Sequence, residues 1–130
     1  MKAWLLLAGL LAATPGWAQA PLVPVTAAEG AILRGLDTAN GQNQDIEIAV
    51  GATARFERLE ITLRECRYPS ENPASDAFAY VIIRDIREAQ PRFEGWMIAA
   101  SPALSALDHP RYDVWVLRCQ IPATGAESKE

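Results

Sequence analysis

The stretch Asp45–Arg64, DIEIAVGATARFERLEITLR, decides the fold class because apolar side chains occupy every second position near both of its ends. Isoleucine and valine alternate with charged or small residues over 46–50, and leucine and isoleucine alternate with polar residues over 59–63. Successive side chains of a β-strand point to opposite faces, so an apolar period of two is typical of a half-buried strand. The stretch therefore predicts two such strands.

Four further segments carry strand signals. Ala31–Leu36 precedes the pair Asn40-Gly41, which can adopt the positive φ of a tight turn, so we expect a hairpin between this strand and the one at 46–50. Phe78–Arg84 is apolar or aromatic on both parities, which is typical of a central strand covered on both faces. The last two strands are predicted at Phe93–Ala99 and Tyr112–Gln120.

A single short helix interrupts this pattern. Ser101 can cap a helix, Pro102 suits its first turn, and Pro110 stops it, so a helix is predicted over Ser101–Leu107. About six strands and one short helix indicate an all-β, mainly antiparallel domain, built as a small barrel or a sandwich.

Cys66 does not fit the alternation of its own strand. It falls on the polar parity, so either a bulge near Glu65 turns it inward or the strand has already ended and the thiol lies at the sheet margin. We favour the second alternative because Arg67-Tyr68-Pro69 resembles a loop, which would extend as an exposed segment over Tyr68–Asp76. In the last strand, alternation places four residues on one face: Asp113, Trp115, Leu117 and Cys119.

The N-terminus has the form of a secretory signal peptide. Lys2 is followed by the apolar run Ala3–Ala13, which is shorter than the roughly 20 residues that span a bilayer. Small residues at Gly16 and Ala18 fit a signal peptidase, so cleavage is expected after Ala18. No cysteine follows the run to carry a lipid, so the sequence predicts a free periplasmic protein with no transmembrane segment after cleavage.

The rest of the chain divides into three parts. Residues 19–30 are rich in alanine and proline and predict a flexible leader, and residues 123–130 predict a disordered tail. Residues 31–122 between them form one predicted domain, a size at which a covalent cross-link adds usefully to a small core. Cys66 and Cys119 are the only cysteines, and in an oxidising compartment they are expected to form a disulfide.

The charge balance excludes two classes of partner. Loss of Lys2 with the signal leaves 11 basic and 16 acidic residues, a net charge near minus five. Nucleic acids and anionic membrane surfaces are bound by clustered cations, so neither is an expected partner.

The only histidine lies within one polar and aromatic block. Residues 93–119 read FEGWMIAASPALSALDHPRYDVWVLRC. With AILRGLD at 31–37 and CRYPSENPASDAFAYV at 66–81, this block resembles the bacterial family catalogued as domain of unknown function 2155, across essentially the whole predicted domain. The resemblance implies a small exported protein of Gram-negative bacteria; it implies no catalytic residue.

The block itself indicates a recognition site. Its aromatic and basic side chains are types enriched at interface hot spots, and the candidate binding residues are Trp96, His109, Arg111, Tyr112 and Trp115. The competing interpretation is a packed corner in which the indoles fill the core and the polar groups bind backbone.

Catalytic motifs are weak throughout. Ser101 and Ser105 lack a nucleophile elbow, and a metal site at His109 lacks a second His or Cys ligand. No catalytic residue, metal or cofactor is therefore predicted. We expect a non-enzymatic module of the cell envelope that binds a protein, peptide or glycan; the alternative is a small periplasmic hydrolase that uses His109.

Overall fold

The computed structural model describes residue 16 and residues 22–121. The predicted signal peptide at 1–18, apart from residue 16, and the predicted tail at 123–130 lie outside the described residues. Eight strands are described: β1 (Val25–Ala27), β2 (Gly30–Asp37), β3 (Gln42–Ala49), β4 (Thr53–Phe56), β5 (Leu59–Pro69), β6 (Phe78–Asp85), β7 (Phe93–Ile98) and β8 (Tyr112–Gln120).

The strands pair into two antiparallel sheets. In the five-stranded sheet, β5 pairs with β6 on one side and with both β1 and β4 on the other, and β7 extends the sheet beyond β6. The three-stranded sheet has the order β3-β2-β8. The all-β antiparallel prediction is confirmed, and over residues 22–121 the two sheets form a sandwich and not one closed barrel.

The inner faces of the two sheets supply the core. Alternate residues of β5 and β8 are buried on each side of their bulges, and β2 is buried on both faces over its first four residues. β6 is central, as predicted, but only alternate residues are fully buried and its other face is half-buried. The largest fully buried side chains include Leu33, Leu59, Ile61, Leu63, Ile83, Met97 and Tyr112. The expected hairpin joins β2 to β3, and Gly41 adopts a φ of 74° in its turn.

β5 contains the bulge that turns Cys66 inward. Leu63 pairs with Val81 and Glu65 with Tyr80, so Arg64 is an extra residue without a partner on β6. The bulge shifts the buried parity from odd to even positions, and Cys66 is 1% exposed. The favoured interpretation, that the strand ends before Cys66, was wrong: β5 continues to Pro69 because β1 pairs with Arg67–Pro69.

β8 changes parity in the same way. Val116 pairs with Leu33 and Arg118 with Ile32, so Leu117 is the extra residue. The buried positions are therefore Tyr112, Val114 and Val116 before the bulge, and Cys119 after it. The predicted shared face of Asp113, Trp115, Leu117 and Cys119 was wrong because simple alternation does not hold across a bulge.

The two cysteines join the sheets. The Sγ atoms of Cys66 on β5 and Cys119 on β8 lie 2.06 Å apart, with 5.8 Å between the Cα atoms, as in a disulfide. This confirms the predicted pairing.

Three local features differ from the predictions. The Ser101–Leu107 segment contains only a 3-10 helix, Pro102–Leu104, without a side-chain cap from Ser101. None of its residues is buried, so no packing supports a longer helix. β1 lies within the predicted leader and β4 within a stretch not predicted as strand; both are short, and each gains its backbone partners from β5.

Candidate functional site

His109 lies just before β8 and is held by both ring nitrogens. Its Nδ1 accepts backbone N–H groups from Arg111 at 3.0 Å and Tyr112 at 3.2 Å. The proton of the neutral ring is therefore on Nε2, which donates to Asp85 Oδ2 at 2.9 Å. The side chain is only 1% exposed, so the ring is a buried connector between the start of β8 and the end of β6.

Asp85 ends β6 and receives several donors. Its Oδ1 accepts the backbone N–H of Arg87 at 2.9 Å, and its Oδ2 accepts from His109 and, at 3.4 Å, from Arg58 Nη2. The Arg87 N–H, the hydrogen bond from His109 and the charge of Arg58 together lower the pKa of Asp85 to about 2. The carboxylate is thus ionised, and it binds the side chains of His109 and Arg58 at the end of the five-stranded sheet.

Arg111 makes the corresponding contact with the other sheet. Its Nε and Nη2 donate to the two carboxylate oxygens of Asp37 at 3.0 and 2.9 Å. Asp37 ends β2, and its Oδ1 also accepts the backbone N–H of Ala39. Hydrogen bonding to Arg111 lowers the pKa of Asp37, and the same bond raises the pKa of Arg111.

Together His109 and Arg111 bind one aspartate from each sheet, and we call the set His109, Arg111, Asp37 and Asp85 the aspartate clamp. The clamp closes one end of the sandwich. The sequence analysis missed Asp37 and Asp85, although each directly follows a predicted strand. At such a position, just before a turn, aspartate commonly accepts the backbone N–H two residues ahead.

Tyr112 packs directly beneath the clamp. Its ring is 2% exposed and meets Phe56 edge-on at a centroid distance of 5.7 Å. The guanidinium carbons of Arg58 and Arg111 lie 5.3 and 5.5 Å from the ring centroid, and the His109 ring lies at 5.0 Å. Three of the five predicted binding residues, His109, Arg111 and Tyr112, therefore come together, but as a packed and hydrogen-bonded corner.

The two tryptophans lie elsewhere. Trp115 alternates with the buried Val114 and Val116, so it is on the outer face of the three-stranded sheet, where it pairs with Arg34. Trp96 precedes the buried Met97 and lies on the outer face of the five-stranded sheet. The predicted five-residue site is thus divided among the sandwich end and two opposite outer faces.

Trp96 lines a groove that crosses the five-stranded sheet. The groove has a volume of about 340 Å³ and is lined by Arg64, Glu65, Tyr80 and Trp96. Tyr80 meets the indole at 82° with 5.4 Å between centroids, and the guanidinium carbon of Arg67 lies 5.8 Å from it. Trp96 remains 38% exposed. We call this feature the outer groove.

A second cavity, of about 400 Å³, lies between Val23-Pro24 and the loop after β5. One of its two carboxylates, Asp76, accepts the backbone N–H groups of Ala77 and Ala100, so that side chain organises loops. The other carboxylate, Glu71, is exposed, and the aromatic residue of the lining, Phe78, is half-buried.

Two kinds of feature are not found within the described part of the chain. No cluster of three or more histidine, cysteine or acidic side chains there is arranged to hold a metal ion. No described helix has the length and apolar character needed to cross a membrane.

Comparison with known proteins identifies the family to which the chain belongs. Residues 31–119 match the family described as "Uncharacterized protein conserved in bacteria (DUF2155)". No curated protein and no solved structure matches the chain. The matched segment runs from β2 to the disulfide at Cys119 and covers well over half of the sequence. The chain therefore belongs to the DUF2155 family, as its sequence motifs indicated.

Proposed function

We propose that this protein is an exported, non-enzymatic module that binds another component of the cell envelope, a protein, peptide or glycan, through the outer groove. The observation that carries the proposal is the exposure of Trp96 beside the arginine side chains of Arg64 and Arg67. Tryptophan and arginine are the residue types that most often dominate binding energy at protein interfaces.

The aspartate clamp supports a binding role over a hydrolytic one. A general base needs a free nitrogen within hydrogen-bond reach of a substrate proton. In His109 one nitrogen accepts two backbone N–H groups and the other donates to Asp85, and the ring is buried. Use of His109 as a base would require its Nδ1, and a substrate proton would have to displace the backbone N–H groups of Arg111 and Tyr112 that this atom accepts.

Binding through the groove can be tested by site-specific photo-crosslinking in intact cells. A benzophenone amino acid is placed at position 94, which is exposed next to Trp96 on the same face of β7, and, as a matched control, at position 115 on the opposite outer face. We expect a discrete adduct from position 94 that weakens when Arg64→Gln or Trp96→Ala is added, and none from position 115. Equal adducts from both positions, or no adduct from position 94, would contradict the proposal.

The hydrolase alternative is tested with His109→Gln. Glutamine can accept a backbone N–H with its carbonyl and donate to Asp85 with its amide, but it cannot act as a base. We expect this variant to complement a deletion strain, whereas Trp96→Ala at equal abundance does not. The opposite pattern would replace the binding proposal with the hydrolase.

Export is tested by N-terminal sequencing of the protein from the periplasmic fraction. We expect Gln19 as the first residue. Recovery of a chain that retains Met1, in the cytosolic fraction alone, would contradict export.

A further inference from the structure

We infer that the outer groove recognises an acidic peptide segment, whose carboxylate pairs with Arg64 while an aliphatic side chain packs on Trp96. The inference rests on the proposed binding function and names its ligand class. Its first element is the position of Arg64: as the extra residue of the β5 bulge it is exposed next to Glu65, and both side chains line the groove.

Arg64 is an uncompensated cation within the described chain. Over residues 22–121, no hydrogen bond or ion pair joins its side chain to another residue, whereas Arg34, Arg84, Arg92 and Arg111 are all paired with acids. Bulges commonly re-aim a side chain near functional sites. An incoming carboxylate at this position would gain a charge-assisted hydrogen bond without displacing an existing partner.

One of the two acidic groups beside the groove is paired with a cation. Glu65 Oε1 accepts from Arg67 Nε at 2.9 Å and Nη2 at 2.6 Å, so this pair is locally neutral. Glu94 accepts a hydrogen bond from the neutral Tyr80 hydroxyl at 3.3 Å and keeps its negative charge. Among the residues that line the groove, Arg64 is the cation that no described acid neutralises.

The surroundings of the indole favour a peptide over a sugar. Sugars stack on an open aromatic face, but Arg67 and Tyr80 both pack against the Trp96 ring. An aliphatic side chain can bury the exposed part of the ring without a full open face. Arg64 lies on β5 and Trp96 on β7, two strand spacings or roughly 10 Å apart. In an extended peptide, an apolar residue and an acidic residue two positions later are roughly 7 Å apart. The lengths of the side chains make up the difference, so such a pair can contact both Trp96 and Arg64.

The test measures binding of blocked synthetic pentapeptides to the intact mature protein. The probes are acetyl-Gly-Leu-Gly-Glu-Gly-amide, its glutamine counterpart, and a version with alanine in place of leucine. Binding is followed by the NMR shift of the Trp96 indole N–H, with the Trp115 indole as an internal reference. Arg64 is exposed, and an exposed ion pair adds only modestly to binding, so we expect the glutamate peptide to bind about two- to fivefold more tightly than the glutamine peptide.

Two variants test whether Arg64 causes the preference for the glutamate peptide. Arg64→Gln should abolish the difference between the glutamate and glutamine peptides, whereas Arg118→Gln, which changes an exposed arginine of the three-stranded sheet, should leave it intact. Equal affinity for both peptides in the wild type, or a preference that survives Arg64→Gln, would overturn the inference. Tighter binding of a methyl glucuronide than of the acidic peptide would also overturn it, in favour of an acidic glycan.

The outcomes separate the inference from the proposed function. Arg64-dependent crosslinks from position 94 in cells, together with no acid preference among the peptides, would leave the binding module standing and remove only the acidic peptide. Absence of both results would remove the binding function as well.

Discussion

Cys66 and Cys119 join the two sheets, and each reaches the core because one extra residue interrupts its strand shortly before it. Arg64 is the extra residue in β5, two positions before Cys66, and Leu117 is the extra residue in β8, two positions before Cys119. If the strands alternated without these bulges, both thiols would point to the outer faces of their sheets. The aspartate clamp binds the other end of β8, so this strand is anchored to the five-stranded sheet at both ends.

Removal of the disulfide should cost most of the stability of this small domain. Closure of a loop of about 54 residues contributes about 4 kcal/mol in the chain-entropy treatment. We expect the double variant Cys66→Ser, Cys119→Ser to lower the free energy of unfolding by about this amount in guanidinium titrations. Detection of two free thiols in the denatured wild-type protein would contradict the cross-link.

The number of residues between Val116 and Cys119 should decide whether the cross-link forms. Val116 is buried, Leu117 and Arg118 are not, and Cys119 is buried again. Insertion of one alanine between Arg118 and Cys119 gives the inserted residue the inward position and turns the thiol of Cys119 toward the outer face. We expect the insertion variant to contain two thiols that react with a maleimide reagent in the folded state. Leu117→Ala keeps the residue count and should remain unreactive; equal reactivity of the two variants would refute this role of the strand register.

Asp85 should make stability depend on acid pH. Its pKa in the folded state, about 2, is below the ordinary value of 3.8, so its contribution is present above about pH 4 and is lost as the pH falls through about 2. Asp85→Asn should lower stability at pH 7 by about 1–3 kcal/mol, because one amide cannot accept from both Arg87 and His109.

The measurement for Asp85 is a set of urea titrations at pH 7, 4 and 2.5. We expect the loss of stability between pH 4 and 2.5 to be smaller in Asp85→Asn than in the wild type. Asp113→Asn, on the exposed face of β8, is the matched control. An unchanged pH dependence in Asp85→Asn would show that this carboxylate does not stabilise the fold.

Gly35 should be intolerant of any side chain. A Cβ atom at this position of β2 would lie 2.8 Å from two ring carbons of Phe56, and that ring packs edge-on against Tyr112. We expect Gly35→Ala to lower the free energy of unfolding by about 1–3 kcal/mol, as overpacked cores do. Phe56→Leu added to Gly35→Ala should recover part of this loss; a purely additive loss would show that the ring is not the obstacle.

Much of the fold could be predicted because its evidence is local. Apolar residues at every second position of 46–50 and 59–63 favour strands whatever their partners are, and Asn40-Gly41 favours a tight turn. The short strands β1 and β4 were missed because each depends on the backbone of β5 and has little pattern of its own. The helix predicted over Ser101–Leu107 does not form in full. Its N-terminal sequence signals are present, but the 3-10 helix that does form has no buried residue, so no packing extends it.

The candidate site could be predicted only in part. The sequence block at 93–119 drew attention to His109, Arg111 and Tyr112, and the structure does bring these three together. Their partners Asp37 and Asp85 are distant in sequence and have no shared motif, so only the packing of the two sheets reveals the clamp. The outer groove was missed because Arg64, Tyr80 and Trp96 belong to three different strands.

The sequence by itself determined that this chain is an antiparallel all-β protein of the DUF2155 family whose two cysteines pair, since alternation, turn residues, family motifs and cysteine number are all local or countable properties. Only the tertiary structure decided which face each side chain occupies. One extra residue in a strand changes the face on which every later side chain of that strand lies. Only the pairing of that strand with its neighbour shows which residue is the extra one. That change of face buries both cysteines and leaves Glu65 beside Arg64 on the outer face of the five-stranded sheet.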